Sequence, residues 1–134
     1  MITAVDTNIL IDILEPDPVH GLRSKEALKK CLREGAVVAC DVVWAEVATA
    51  YGNNQSGLVE ALQAMRIGFS AMRMESALGA ARSWHTYRRR GGGPDRIAAD
   101  FLIGGHAAAQ AERLLTRDLG FYRKYFKGVA VVSP

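Results

Sequence analysis

The chain has 134 residues, of which 49% are hydrophobic and 23% are charged, and its formal net charge is +3. A chain with this many hydrophobic residues and this small a net charge is not intrinsically disordered. No apolar stretch is long enough to span a bilayer. We therefore expect a single domain, residues 1–134, with its own hydrophobic core. Cys31 and Cys40 lie in apolar segments. This is typical of buried thiols in a reducing compartment and predicts a cytoplasmic protein.

The first half of the chain alternates apolar runs rich in β-branched residues with segments of helical periodicity. Pro16 and Gly35 end two of the helical segments. The predicted elements are, in order, a strand at 2–5, helices at 9–14 and 19–33, a strand at 36–40, and helices at 42–51 and 58–66.

The second half continues the alternation, interrupted by a glycine-rich loop at 91–94. Its predicted elements are a strand at 69–72, helices at 75–89 and 97–110, a strand at 113–116, a helix at 121–126 and a strand at 129–132. Strands alternating with helices throughout predict a three-layer α/β/α fold around a mostly parallel sheet of about five strands.

Acidic residues follow the predicted strands. Asp6 follows the first strand, Asp41 and Glu46 follow the second, and Asp118 follows the strand at 113–116, while Asp100 lies in the first turns of the helix after the glycine loop. Ligands of open parallel sheets gather at the carboxyl ends of the strands. Converging carboxylates repel one another unless cations neutralise them or protons are shared, and Mg²⁺ and Mn²⁺ prefer such oxygen ligands.

Each of these acids also has a structural interpretation. Asp6 and Asp41 are good helix caps, which is the interpretation we favour for Asp41, and Asp118 suits a turn before Gly120. Asp100 lies within an apolar run, where a buried acid needs a partner. Taken together, at corresponding edges of one sheet, the acids favour a site.

Four segments in order carry a resemblance to a known family. They are VDTNIL at 5–10, Glu46, DFLIGGHA at 100–107 and LTRD at 115–118. Over its whole length the chain resembles the PIN-domain family, most closely the VapC-like ribonuclease toxins of bacterial toxin–antitoxin systems. Two successive glycines in a helix are a departure, and they predict either close approach of another backbone or a tight core. Glu46 has no tight motif around it, although Glu60 is a weaker competitor because it falls in the later helix.

The resemblance implies an endoribonuclease that uses one or two Mg²⁺ or Mn²⁺ ions. On this basis the catalytic, metal-holding acids are Asp6, Glu46, Asp100 and Asp118, and the residues that keep the site in shape are Thr7, Asn8 and Thr116. The family further implies an RNA substrate, a cognate antitoxin that covers the active site, a homodimer, and a heterotetramer or larger assembly with the antitoxin.

An RNA-cleaving enzyme needs cations around its acids. Removing the four acids leaves seventeen basic against ten acidic residues, or +7. The arginines around the glycine loop suit phosphate contacts, although arginines at a helix end also complement its dipole. The predicted RNA-binding residues are Arg88, Arg89, Arg90 and Arg96. The aromatic candidates for stacking on unpaired bases are Trp84, Tyr87 and Tyr122. Asp95 is the expected cap of the helix that carries Asp100.

Other functions fit the sequence less well. A receiver domain would carry paired acids near its first strand, and a two-aspartate phosphatase would carry an acid at the position of Asn8. The alternative that stays open is a non-catalytic module of the same fold that binds RNA or a protein, although the presence of all four acids argues against it.

Overall fold

The computed structural model describes residues 1–134 and contains five strands and seven helices. In chain order they are β1 (Ile2–Val5), α1 (Thr7–Leu14), α2 (Gly21–Glu34), β2 (Ala36–Cys40), α3 (Asp41–Tyr51), α4 (Gln55–Ala64), β3 (Ile67–Ser70), α5 (Met74–Arg89), α6 (Ala98–Gln110), β4 (Arg113–Leu115), α7 (Leu119–Tyr125) and β5 (Ala130–Val132).

The five strands form one sheet in the order β3-β2-β1-β4-β5, and every pairing is parallel. Ala4 of the central strand β1 lies opposite Val38 of β2 and Leu114 of β4. A parallel sheet is stable when helices cover both of its faces, and Ala4 and Leu114 are almost inaccessible to water. The predicted three-layer α/β/α fold is confirmed.

The strand order determines where a site is expected. From β1 the chain proceeds outward through β2 to β3, and then returns to the other side of β1 for β4 and β5. Such a reversal opens a crevice at the carboxyl ends of the central strands, where ligands of open α/β sheets bind. Asp6 lies directly at this reversal, because it is the residue after β1.

Several element boundaries differ from the sequence prediction by one to three residues, and two of these differences have a clear local reason. Helix α4 begins at Gln55 rather than at residue 58, because the Asn54 side chain accepts a hydrogen bond from the Gly57 backbone N–H and caps the helix earlier. Strand β3 occupies Ile67–Ser70 rather than 69–72, because its pairing with β2 places Ile67 opposite Val37. As an edge strand, β3 is defined by that register rather than by an apolar run.

The successive glycines of α6 permit close packing. A Cβ atom on Gly105 would lie 2.4 Å from the backbone oxygen of Ser76 in α5, and one on Gly104 would lie 2.4 Å from the ring of Phe126. Both explanations predicted from the sequence therefore apply, a close backbone at Gly105 and a tight core at Gly104.

The remaining general predictions concern the thiols and the membrane. Cys31 and Cys40 are both buried and form no disulfide. None of the seven helices has the length and apolar character needed to cross a membrane.

Candidate active site

A cleft lined by acidic residues, which we call the acidic cleft, lies at the carboxyl end of β1 and contains Asp6. Asp6 is the N-cap of α1, with only 6% of its surface exposed. Its Oδ1 accepts a hydrogen bond from the Thr7 backbone N–H at 2.7 Å, and its Oδ2 accepts from the Thr116 hydroxyl at 2.6 Å and from the Asn8 side-chain amide at 3.3 Å. Asp6 thus caps α1, as predicted, and at the same time lines the cleft.

The surroundings of Asp6 disfavour its negative charge. Burial raises the pKa of its carboxyl from 3.8 to about 6, against the opposing effect of the hydrogen bonds from Thr116 and Thr7. The neighbouring carboxylates of Asp100 and Glu46 raise it further. A bound cation would relieve both the burial cost and the repulsion.

The other three predicted acids lie around the same cleft. Asp6, Glu46, Asp100 and Asp118 line one cavity of about 320 Å³. Glu46 accepts a hydrogen bond from the Thr7 hydroxyl at 2.6 Å, and Asp100 accepts one from the Ile97 backbone N–H at 3.1 Å. The fold therefore brings together residues that are up to 112 positions apart in the sequence (118 − 6).

The predicted supporting residues also lie at the cleft. Thr7 and Asn8 line it, and Thr116 lies fully buried beneath it with its hydroxyl on Asp6. Asp41, by contrast, is the exposed first residue of α3 and does not line the cavity. The capping role favoured for Asp41 is therefore wrong, because Cys40 is the N-cap residue and no side chain caps this helix.

The donor set suits a hard divalent cation in its chemistry, because all four side chains offer carboxylate oxygens. As the side chains stand, however, no three His, Cys, Asp or Glu residues are grouped so that they could hold a metal ion. Arg96 forms an ion pair with Asp118 through both terminal guanidinium nitrogens, which raises the pKa of Arg96 above its usual value. Asp118 would have to leave Arg96 to join the other acids around a cation.

An ion pair between a buried acid and a partly exposed arginine lies at the cleft and was missed from the sequence. Asp12, whose side chain is 4% exposed, accepts hydrogen bonds from Arg117 Nε at 2.8 Å and Nη2 at 3.0 Å, and from the Ser24 hydroxyl at 2.6 Å. The Arg117 backbone N–H in turn donates to the side-chain oxygen of Asn8 at 3.3 Å. The available signal was an acid among the isoleucines and leucines of α1, which needs a partner when buried.

The predicted RNA-binding arginines separate into different environments. Arg96 reaches the cleft through Asp118, and its guanidinium lies 4.3 Å from the ring centroid of Phe121. Arg88 lies over the ring of Trp84 at 4.6 Å. Arg89 and Arg90 are exposed at the end of α5 and do not line the cleft.

The stacking role predicted for Tyr87 and Tyr122 and the capping role predicted for Asp95 are wrong. Tyr87 and Tyr122 are buried in the core and cannot stack on bases, while Trp84 stacks on Phe101 with centroids 5.5 Å apart. Asp95 does not cap α6. The N-cap is Ile97, and Asp95 accepts a hydrogen bond from the Tyr87 hydroxyl at 2.9 Å.

Comparison with known proteins places this arrangement in a family. A family model described as "PIN domain" matches residues 3–127. Among curated proteins, no sequence matches this chain.

Solved structures match the whole fold. A chain in the structure of VapBC-1 from nontypeable Haemophilus influenzae is 16% identical in sequence and has a TM-score of 0.77. A chain in the structure of VapBC2 from Rickettsia felis bound to a promoter DNA fragment is also 16% identical and has a TM-score of 0.75. Each match covers 99% of this chain and 98% of the matched chain. FitAcB from Neisseria gonorrhoeae is 26% identical with a TM-score of 0.68 and covers 98% and 96%.

Proposed function

The chain belongs to the PIN domain family, and we propose that it is a metal-dependent endoribonuclease that acts as the toxin of a toxin–antitoxin pair. The observation that supports the nuclease activity is the acidic cleft itself. A buried aspartate with a pKa of about 6, Asp6, shares a cavity at the carboxyl end of the central strand with four further carboxylates, those of Asp12, Glu46, Asp100 and Asp118. Such a concentration of carboxylates is favourable only where cations neutralise it or protons are shared, and Arg96 and Arg117 pair with only two of the five.

Asp6, Asp100, Glu46 and Asp118 are the residues that would hold Mg²⁺ or Mn²⁺. Bound there, one or two such ions would supply an activated water and stabilise the leaving oxygen of a phosphodiester. The protein's part is to provide ionised oxygens in a fixed place, at a cleft open to a polyanionic strand.

The neighbouring side chains orient these acids. Thr116 and the Thr7 backbone N–H donate to opposite oxygens of Asp6, which favours its ionised form and fixes the plane of the carboxylate. The Thr7 hydroxyl holds Glu46 at the same time. Asn8 donates to Asp6 and accepts from the Arg117 backbone, so it acts as a positioning residue between α1 and the end of β4.

The toxin role rests on the matched structures. VapBC complexes and FitAcB match this chain over nearly its whole length. We infer a cognate antitoxin that covers the cleft and inhibits cleavage, a homodimeric toxin, a heterotetramer or larger assembly with the antitoxin, and action on RNA in the cytoplasm.

Cleavage of RNA by the purified protein tests the nuclease proposal. We expect cleavage with Mg²⁺ or Mn²⁺, none with EDTA, and none by Asp6→Asn or Asp100→Asn. Glu60→Gln is the matched control, because it removes an exposed carboxylate of α4 outside the cleft and should leave cleavage unchanged. Equal cleavage by the wild type and Asp6→Asn would assign the activity to a contaminant.

Induced expression in bacterial cells tests the toxin role. We expect growth arrest that is relieved by Asp6→Asn and by co-expression of the antitoxin. Arrest that persists with Asp6→Asn at equal protein level would separate toxicity from cleavage and refute the nuclease explanation.

A second candidate function is a non-catalytic module of the same fold that binds RNA or a protein. The observation that favours it is the ion pair between Asp118 and Arg96, with no three acids grouped around one point. Titration with Mn²⁺ separates the two functions. A metal site stabilises the folded chain as the Mn²⁺ concentration rises above its dissociation constant, whereas a module without one gains no stability.

A further inference from the structure

A basic pocket lies between α5 and α7, outside the acidic cleft. Its volume is about 300 Å³, and we call it the α5–α7 pocket. Arg82 and Thr86 line it from one face of α5, and Arg90, the C-cap residue of that helix, follows at the same spacing of four residues. Lys124, in the last turn of α7, and Lys127, just after that helix, complete the lining cations.

The four cations of this pocket have no acidic partner. No carboxylate lines the pocket, and the side chains of Arg82, Arg90, Lys124 and Lys127 take part in none of the chain's ion pairs. Three other arginines differ in this respect, because Arg96, Arg113 and Arg117 each form an ion pair with an acid.

Helix dipoles account for only part of this charge. Two helices end near the pocket, and each carboxyl end contributes about half a negative charge, or about one in total. Four positive side chains therefore leave an excess of about three charges in one concavity. The pocket fits an anionic occupant.

The lining favours a phosphate over an acidic protein segment. Tyr125 is the one hydrophobic residue among the seven that line the pocket, so there is no apolar surface to bury the side chains of a peptide. Protein interfaces normally have such an apolar centre, whereas contacts to a nucleic-acid backbone are dominated by Arg and Lys.

The position of the pocket points to the same strand that would enter the cleft. Helix α7 begins at its N-cap Asp118, which lines the cleft, and reaches Lys124 six residues later, about 9 Å along the helix axis. On the other side, the loop from Arg90 leads to Arg96, which contacts Asp118. A single strand that left the cleft along α7 would therefore meet the pocket within a few nucleotides.

We propose that the α5–α7 pocket binds a backbone phosphate of the RNA strand beyond the cleaved bond, so that it sets the affinity for longer RNA. This proposal rests on the nuclease function proposed above, because that function makes RNA the ligand. It adds Arg82, Lys124 and Lys127 to the RNA-binding residues, and it gives Arg90 a defined pocket.

The test compares two double variants that remove the same charge from different places. The pocket variant is Arg82→Gln with Lys124→Gln. The control is Arg23→Gln with Lys30→Gln, two cations that line a different cavity, against α2. Both are made in the Asp6→Asn chain so that RNA is not consumed, and equal melting temperatures are required first.

Fluorescence anisotropy then measures binding of labelled single-stranded RNAs of about 12 and about 3 nucleotides over a range of salt. For the pocket variant we expect about tenfold weaker binding of the longer RNA, a much smaller loss for the shorter one, and a salt slope lower by about 1 to 1.5. The control should stay within about twofold of its parent.

Equal weakening by the pocket variant and the control would overturn the proposal, because the effect would then come from net charge. Unchanged RNA binding together with weaker binding of a labelled poly-glutamate probe would also overturn it, in favour of an acidic protein partner. If the wild type cleaves no RNA with Mn²⁺ and the pocket variant alone loses RNA affinity, the nuclease proposal fails and the phosphate pocket is supported.

Discussion

Replacing Arg117 by methionine tests how the end of β4 is held against α1. In the folded chain the Arg117 guanidinium donates two hydrogen bonds to Asp12, and its backbone N–H donates a third to Asn8. Methionine keeps most of the aliphatic packing but removes the charge. Asp12 then keeps only the hydrogen bond from Ser24.

The expected loss of stability follows from the burial of Asp12. Removing one partner of a buried ion pair costs about 3–5 kcal/mol, because the remaining charge is left without compensation. The Arg117 side chain is 34% exposed, whereas that of Asp12 is 4% exposed, so water can reach part of the vacated space. We therefore expect a loss of about 2–3 kcal/mol, at or below the low end of that range.

Thermal and urea unfolding provide the assay. For a domain of this size, a change of 1 kcal/mol shifts the melting temperature by about 3–5 °C, so Arg117→Met should melt about 6–15 °C lower. The double variant Asp12→Leu with Arg117→Met removes both charges and should lie within about 1 kcal/mol of the wild type. Arg123→Met is the control, an exposed cation of α7 with no ion pair, and should change stability by less than about 0.5 kcal/mol.

Two results would refute this reasoning. If Arg117→Met unfolds within about 0.5 kcal/mol of the wild type, the ion pair does not hold the segment. If the double variant is as unstable as Arg117→Met alone, the cost arises from lost packing or geometry rather than from an uncompensated Asp12.

Three further predictions concern Asp6, two helical glycines and Arg96. Since burial raises the pKa of Asp6 to about 6, the folded metal-free chain binds more protons than the unfolded chain between pH 4 and 6, so stability rises as pH falls through that window, by about 1–3 kcal/mol. Urea unfolding at several pH values should show that the Asp6→Asn chain does not gain this stability as the pH falls. An equal increase in stability in both proteins would mean that other groups cause it. Gly105→Ala should lower stability by about 1–2 kcal/mol because its Cβ meets a backbone oxygen, whereas Gly120→Ala, in open space on α7, should raise it by about 0.5–1 kcal/mol; similar melting shifts would disprove the close packing. Arg96→Gln releases Asp118, so calorimetry should detect tighter Mn²⁺ binding and weaker RNA binding; unchanged Mn²⁺ affinity would exclude Asp118 from the site.

The location of the cleft was predictable because parallel strands share one direction. Once residues 2–5 and 113–116 are read as parallel strands, Asp6 and Asp118 must emerge at the same edge of the sheet. No side-chain geometry is needed for that step. The ion pair of Asp118 with Arg96 was not predictable, because the loop at 91–94 has no periodicity from which its path could be derived.

The contacts that were missed depend on how distant or competing groups meet in the folded chain. Asp12 and Arg117 are 105 positions apart, so no local pattern links them. Asp95 is a good capping type, but the nearby Tyr87 hydroxyl competes for its carboxylate and Ile97 takes the N-cap position. Helical periodicity likewise did not show that Tyr122 faces the core rather than RNA.

The modest net charge of +3 conceals two regions of opposite sign. Five carboxylates line the cleft, two of them paired with arginines, and four cations without acidic partners line the α5–α7 pocket. Carboxylates repel RNA at long range, so on the proposed function the attraction must come from the basic side of the molecule. Salt should therefore weaken RNA binding far more than it slows cleavage of bound RNA. An increase in KM with salt at nearly constant kcat is the kinetic result that this separation of charge requires, and a salt effect confined to kcat would contradict it.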